Sequence, residues 1–333
     1  MKRVTRIMAL ALALALALVF TGCALAKEHE IAVVVKINGI PWFNRLEEGV
    51  KKADAEFDDV KAYQQGPSDA DPAQQVKIIE DLIAKGVDAI CVVPNDAKAL
   101  EPVFEKARSK GIIVLTHESD KQKGADYDIE LIDSKKFGEE NFETLAQAMG
   151  GKGEFALFVG GLTVPLHNYW ANVGLEYVKA KYPEMKLVTD RIPCGESVEE
   201  SFKKTMELTK TYPNLKGIVG FGSLGPIGAA QALKKKDMKG QIAVVGTVIP
   251  SHAAPYLKEG YITHGYLWDP ADAGYAMVAV AREILQGKTI TDGMEIKDLG
   301  AIQLFEDPET KGKVLKFDKI LDITAENAES LGF

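Results

Sequence analysis

Residues 85–120 read KGVDAICVVPNDAKALEPVFEKARSKGIIVLTHESD. Ala89–Val93 is a short, unbroken apolar run rich in β-branched residues, the pattern of a strand buried on both faces. Pro94-Asn95-Asp96 breaks it, and Asp96 suits the cap of a helix predicted near Ala97–Arg108. A second apolar run, Ile112–Thr116, follows the polar turn after that helix. Strand, helix and strand at this spacing make a parallel unit with a crossover helix.

The same alternation extends in both directions. Upstream, Ile31–Val35 is an apolar run followed by a polar and Gly/Pro turn, Lys36 to Pro41. Phe43, Leu46, Val50, Ala53 and Phe57 then recur at helical spacing. Downstream, Glu154–Val159 leads to a helix near Asn168–Tyr182, Gly217–Phe221 to one near Pro226–Lys236, and Ile242–Gly246 to one near Ala253–Lys258. Parallel sheets covered by helices on both faces are the expected α/β architecture. A lobe boundary is predicted around Asp126–Ser134. A helix over Pro270–Gln286, after a strand over Ile262–Trp268, is placed to return to the first lobe. The expected division is 31–131 plus 270–292 for lobe I and 132–269 plus 293–333 for lobe II. The charged tail from Ile290 reads as strand-poor structure covering a hinge.

With 333 residues, 46% of them hydrophobic, the chain can bury a large core and has length for two lobes. Forty Lys and Arg against 48 Asp and Glu leave a net charge of −8, which argues against nucleic-acid or anionic-membrane binding. The N-terminus sets the compartment. Lys2, Arg3 and Arg6 precede an apolar run from Met8 to Phe20, the layout of a signal peptide over 1–22. Phe20-Thr21-Gly22-Cys23 resembles a bacterial lipobox, which implies a lipid on Cys23, a tether over 23–30, and an exported protein held at the outer face of the cytoplasmic membrane or in the periplasm.

Motifs for catalysis are missing from the sequence. It has no GxGxxG after the first strand, no GxxxxGK[ST], no GxSxG, no HExxH and no CxxC. The five His are scattered, and Cys91 and Cys194 read as separate thiols. No enzyme, cofactor or metal is expected.

Ligands of open parallel sheets bind beyond the carboxyl ends of the strands. Those ends carry Lys36, Asn38, Trp42, Phe43 and Asn44 after the first strand, and Glu118 after the third run. Further on come His167, Asn168 and Trp170, then Phe221 and Ser223, and last Trp268 and Asp269. Aromatic plates (Trp42, Phe43, Trp170, Phe221, Trp268) suit the apolar faces of a sugar ring. Asn38, Asn44, Glu118, Asn168 and Asp269 suit its hydroxyls, and Lys36 supplies a charged donor. Several have structural alternatives: Phe43 as a core position, Asn168 as a helix cap, Trp268 as hinge packing.

The adjacent aromatics Trp42-Phe43, the runs KGVDAICVVPNDAKAL and KGIIVLTHESD, and the later VVGTVIP and YLWD resemble the type I periplasmic sugar-binding proteins, the family of the ribose-binding protein. Within it the chain is similar to autoinducer-2 receptors and rhamnose-type binders. The resemblance implies two Rossmann-like lobes, a three-crossover hinge, a ligand clamped between lobes, a monomer, and the permease of an ABC importer as partner. Lys36 and Glu118 match a lysine and an acidic residue of the autoinducer receptor, whereas its second-lobe Asp-Gln pair falls on Leu166-His167. The implied function is capture of a monosaccharide or sugar-like polyol for import. The alternative is an autoinducer-2-type signal receptor, or a ligand-loaded partner of a chemoreceptor or histidine kinase.

Overall fold

A computed structural model describes residues 29–333; the signal-like segment 1–22, Cys23 and most of the tether lie outside them. The chain opens with β1 (His29–Val34), α1 (Pro41–Glu56), β2 (Val60–Gln65), α2 (Pro72–Lys85), β3 (Ala89–Val92), α3 (Ala97–Ser109), β4 (Ile113–His117) and β5 (Tyr127–Glu130). It continues with α4 (Ser134–Met149), β6 (Lys152–Val159), α5 (Pro165–Lys181), β7 (Glu184–Leu187), β8 (Ile192–Pro193), α6 (Val198–Thr211), β9 (Leu215–Gly220), α7 (Gly225–Lys235), β10 (Ala243–Thr247), α8 (Pro250–Glu259) and β11 (His264–Leu267). Then come α9 (Pro270–Leu285), β12 (Glu295–Ile296), β13 (Gly300–Ala301), β14 (Gln303–Glu306), β15 (Lys313–Lys316) and β16 (Leu321–Ile323).

Two sheets result. The first runs β14-β15-β5-β4-β3-β1-β2 and the second β16-β11-β10-β9-β6-β7, with β8 also beside β6. Every pair among β1–β5 and β6–β11 is parallel; only the late strands β14 and β16 join antiparallel. β3 is buried along its whole length and β6 from Phe155 onward, where their apolar runs lie. The helix starts have local causes. Asp71 and Asp96 each accept two backbone N–H bonds at the N-termini of α2 and α3, and Pro72 occupies the first turn of α2, where its missing donor costs nothing.

The chain passes between the sheets at residues 131–133, 268–269 and 317–320. Two crossings are stitched together, because Phe317 N–H donates to Glu130 O (2.8 Å) and Lys319 N–H to Leu131 O (2.9 Å). α9 returns to pack on α1 and against the first sheet. Glycines at that helix crossing permit contact closer than any side chain would: a Cβ on Gly49 would lie 1.8 Å from Ala271 O, and one on Gly274 2.2 Å from Leu46 O.

The tail differs from the sequence expectation. It is not strand-poor, nor does it all belong with the second lobe. β14 and β15 extend the first sheet through the parallel β15–β5 pair, β12 and β13 pair with each other, and β16 alone joins the second sheet. β14 and β16 are short edge strands, and β15, one place inside β14, has a lysine at each end, Lys313 and Lys316, so none has the apolar run that marks a central strand.

β5 holds a further feature. Asp128 and Glu130 are both buried on it, at 4% and 1% exposure. Asp128 Oδ1 accepts from Thr116 Oγ1 (2.7 Å) and Ser119 N–H (3.2 Å), while Asp128 Oδ2 and the Glu130 carboxyl have no partner outside the pair they form. Burial pushes the Asp128 carboxyl up to about 7. Burial and then the neighbouring Asp128 raise Glu130 as well. Cys91 and Cys194 are free and buried. Among the described residues no helix is long and apolar enough to cross a membrane.

Candidate ligand-binding site

The carboxyl ends of the two sheets face each other across a cleft lined by Lys36, Trp42, Phe43 and Glu118 from one side. Trp170, His167, Glu196, Gly222, Ser223 and Thr247 line the other, with Trp268 at the hinge. The space around these side chains, open solvent included, is about 260 Å³, of which about 10 Å³ admits the centre of a water molecule. That is room for about one water. A sugar ring therefore enters by separation of the lobes.

The first-lobe wall is rigid. Gln75 from α2 is fully buried; its Nε2 donates to Val35 O (3.2 Å) and Val93 O (2.8 Å), and its Oε1 accepts Asn95 N–H (2.9 Å). Asn95 Nδ2 in turn donates to Lys36 O (2.8 Å). This stitching fixes the strand end that presents Lys36, whose ammonium pairs with Glu118. Both side chains are at most 2% exposed. Glu118 sits in left-handed backbone at φ 61°, a strained conformation for a residue with a Cβ. Beside it, His117 Nδ1 lies 2.6 Å from Ile129 O and donates to it. Burial lowers the His117 pKa, so Nε2 remains an unprotonated acceptor; it makes no hydrogen bond and lies 3.8 Å from Glu118 Oε1.

Trp268 is fully buried and closes the hinge side. It meets Trp42 edge-on at 5.2 Å, His117 at 5.7 Å and Trp170 at 5.9 Å. It thus serves both as hinge packing and as a wall of the cleft. On the second lobe, His167 near the start of α5 stacks on Trp170 at 5.6 Å. Its Nδ1 accepts Gly160 N–H (3.0 Å), which leaves the ring proton on Nε2. Burial, and after it Lys36, hold His167 well below its ordinary pKa, so it is neutral. Glu196 is half-buried; burial pushes its carboxyl up while Lys36 pulls it down.

Four buried polar atoms on this lining lack partners: Ser223 Oγ, Thr247 Oγ1, Trp170 Nε1 and Trp268 Nε1. Each is costly to bury unsatisfied, and buried indole N–H groups ordinarily find an acceptor. The wall as a whole offers several donors and two carboxylates around aromatic plates. Its one cation, Lys36, already has a partner.

Of the residues singled out from sequence, Lys36, Trp42, Phe43, Glu118, His167, Trp170, Ser223 and Trp268 come together here. Four do not. Asn38 donates to Gly66 O (2.6 Å) near the surface. Asn168 donates to Gly161 O (2.9 Å) and Val164 O (2.7 Å) and accepts from Arg191 (2.8 Å), so it fastens a loop. Phe221 packs behind Trp170 at 5.4 Å. Asp269 is gripped by Arg45, with Nε at 2.8 Å and Nη2 at 2.6 Å, and caps α9 through Ala271 N–H (2.9 Å). Asn44 is exposed. Glu196 and Thr247 were missed: Thr247 ends a recognised strand, whereas Glu196 follows β8, too short to register in a sequence.

A two-lobed α/β clamp with its cleft at the strand ends defines a class of extracytoplasmic receptors that close around small solutes. A family model described as a periplasmic binding protein domain matches residues 31–289. The chain belongs to that family, in its type I sugar-binding division, whose members serve ABC importers as solute-binding components rather than as enzymes. It is 26% identical over 272 residues to a D-ribose/D-allose-binding protein of Pseudomonas aeruginosa, covering 78% of this chain and 83% of that one. A solute-binding protein of Burkholderia graminis, solved in complex with D-arabinose, is 27% identical with a TM-score of 0.77, covering 92% of this chain and 98% of that one. LsrB from Clostridium saccharobutylicum, solved in complex with AI-2, has a TM-score of 0.85 at 21% identity, over 91% of this chain and all of that one; at that identity the likeness concerns the fold.

Proposed function

We propose that the protein captures one uncharged monosaccharide or sugar-like polyol between its lobes and hands it to the permease of an ABC importer. A diacylated Cys23 would hold it at the membrane. The observation that carries the ligand class is the set of unpartnered Ser223, Thr247, Trp170 and Trp268 polar atoms around an aromatic cleft whose only lysine is already paired. Hydroxyls both donate and accept, so a polyol satisfies such a set, while indole faces cover the C–H surface. A carboxylate or phosphate ligand would need a free cation, and the lining has no arginine and no second lysine.

Mass spectrometry of small molecules released from the purified protein, followed by calorimetric titration, tests this. Pentoses, deoxyhexoses and alditols are expected to bind, and uronic acids and sugar phosphates are not. Binding confined to the acidic compounds would overturn the proposal. A Cys23→Ser variant should leave the membrane fraction, since the described chain offers no span.

A second reading, an autoinducer-2-type receptor, draws on the buried Lys36–Glu118 pair at the strand ends. Against it, the second-lobe acidic position is Leu166. Including the autoinducer in the titration separates the two.

A further inference from the structure

We infer that Thr163 is a latch that holds the lobes closed without touching the solute; this rests on the clamp reading above. Thr163 lies on the exposed rim of the second lobe, in the loop between β6 and α5, and its Oγ1 donates to Asn95 O at 3.0 Å. Asn95 belongs to the first lobe, just beyond β3. Among the described residues this is the hydrogen bond that joins the lobes away from the hinge. The other inter-lobe polar contacts cluster around the crossovers: Arg45 to Asp269 and over the Phe333 ring (4.6 Å), Lys316 to Asp133 (4.0 Å), Phe317 to Glu130 and Lys319 to Leu131.

Both ends of the bond are tied to the cleft walls. Asn95 is the residue whose backbone N–H is held by Gln75 and whose side chain holds the carbonyl of Lys36. The Thr163 loop is fixed at Gly160 by the His167 ring and at Gly161 by Asn168. The bond therefore forms when the Lys36 wall and the His167–Trp170 wall reach their closed separation, and it is lost when they part. The hydroxyl is needed but the site is exposed, so the bond contributes as a neutral hydrogen bond does. Removing it should favour the open form by roughly threefold to tenfold.

Thr163→Val keeps the shape and removes the donor; Thr163→Ser keeps the donor. Spin labels at the exposed positions Ser68→Cys and Glu199→Cys report lobe separation, because both described native cysteines are buried. D-Ribose and D-arabinose serve as probes in titrations of parent and variants. The expected result is a threefold to tenfold weaker affinity and a matching rise in the open population for Thr163→Val. Thr163→Ser should behave as the parent, and melting temperatures should stay unchanged. Equal affinities and equal distance distributions for parent and Thr163→Val would overturn the latch. If the parent binds neither probe, the sugar reading suffers, and the distance distributions alone decide the latch: a shift in Thr163→Val supports it and identity refutes it.

Discussion

Replacing Lys36 by Met tests the first-lobe wall most directly. Lys36 and Glu118 are 1% and 2% exposed at their side chains, so the substitution leaves a carboxylate stranded away from water. Breaking a buried pair in this way costs about 3–5 kcal/mol, whereas replacing both partners by neutral groups is often close to harmless. For a protein of this size each kcal/mol lowers the melting point by about 2–4 °C, and the larger the chain the smaller the shift. At about 2 °C per kcal/mol, a fall of roughly 6–10 °C is expected for Lys36→Met, read by scanning calorimetry. The double variant Lys36→Met/Glu118→Gln should recover most of that loss, because neither charge remains. It should not recover solute binding, because both groups line the cleft. The consequences also reach the second lobe, where Lys36 acts on His167 and Glu196. A single variant that melts within about 2 °C of the parent, or a double variant no more stable than the single one, would refute the reasoning.

Two further outcomes follow from the geometry. Asp269→Ala should leave solute affinity unchanged while lowering stability by about 1 kcal/mol or more, since it removes a helix cap and the Arg45 pair, as titration and melting curves on one sample would reveal. Buried Asp128, raised to about 7, and Glu130, also raised, hold more protons in the folded than in the unfolded chain, so stability should fall as pH rises from about 4 to beyond 7. Glu130→Gln should flatten that decline in melts recorded between pH 5 and pH 8, and an unchanged slope would mean the pair does not carry it.

The sequence revealed what is periodic or terminal. β3 and the Ile31–Val34 part of β1 are unbroken apolar runs, and the residues just beyond β1 and β4, Lys36 and Glu118, fall in the cleft because parallel strands end there. Orientation was not legible. Asp269 stands at a strand end, yet its carboxylate is claimed by Arg45, a residue 224 positions away that no local pattern connects to it. Phe221 and Ser223 are two residues apart, but one packs behind Trp170 and the other faces the cleft, because Gly222 turns the chain between them. Edge elements were missed for another reason. β2 ends in Tyr63-Gln64-Gln65, only partly buried, so its hydrophobic signal fades halfway along. α2 was legible in principle from Asp71-Pro72, a cap followed by a first-turn proline.

Two glycines set how closely the main chain packs at the second-lobe side of the cleft, Gly222 on its lining and Gly195 just behind it. A Cβ on Gly195 would lie 2.4 Å from Phe221 O, and Gly222, at φ 105°, would place one 2.8 Å from Gly195 O. No larger residue fits either position without moving a strand end. Divergence toward new solutes is thereby channelled away from these two glycines and onto the side chains that line the cleft: His167, Trp170, Glu196, Ser223 and Thr247 on this lobe, and Lys36, Trp42, Phe43 and Glu118 opposite.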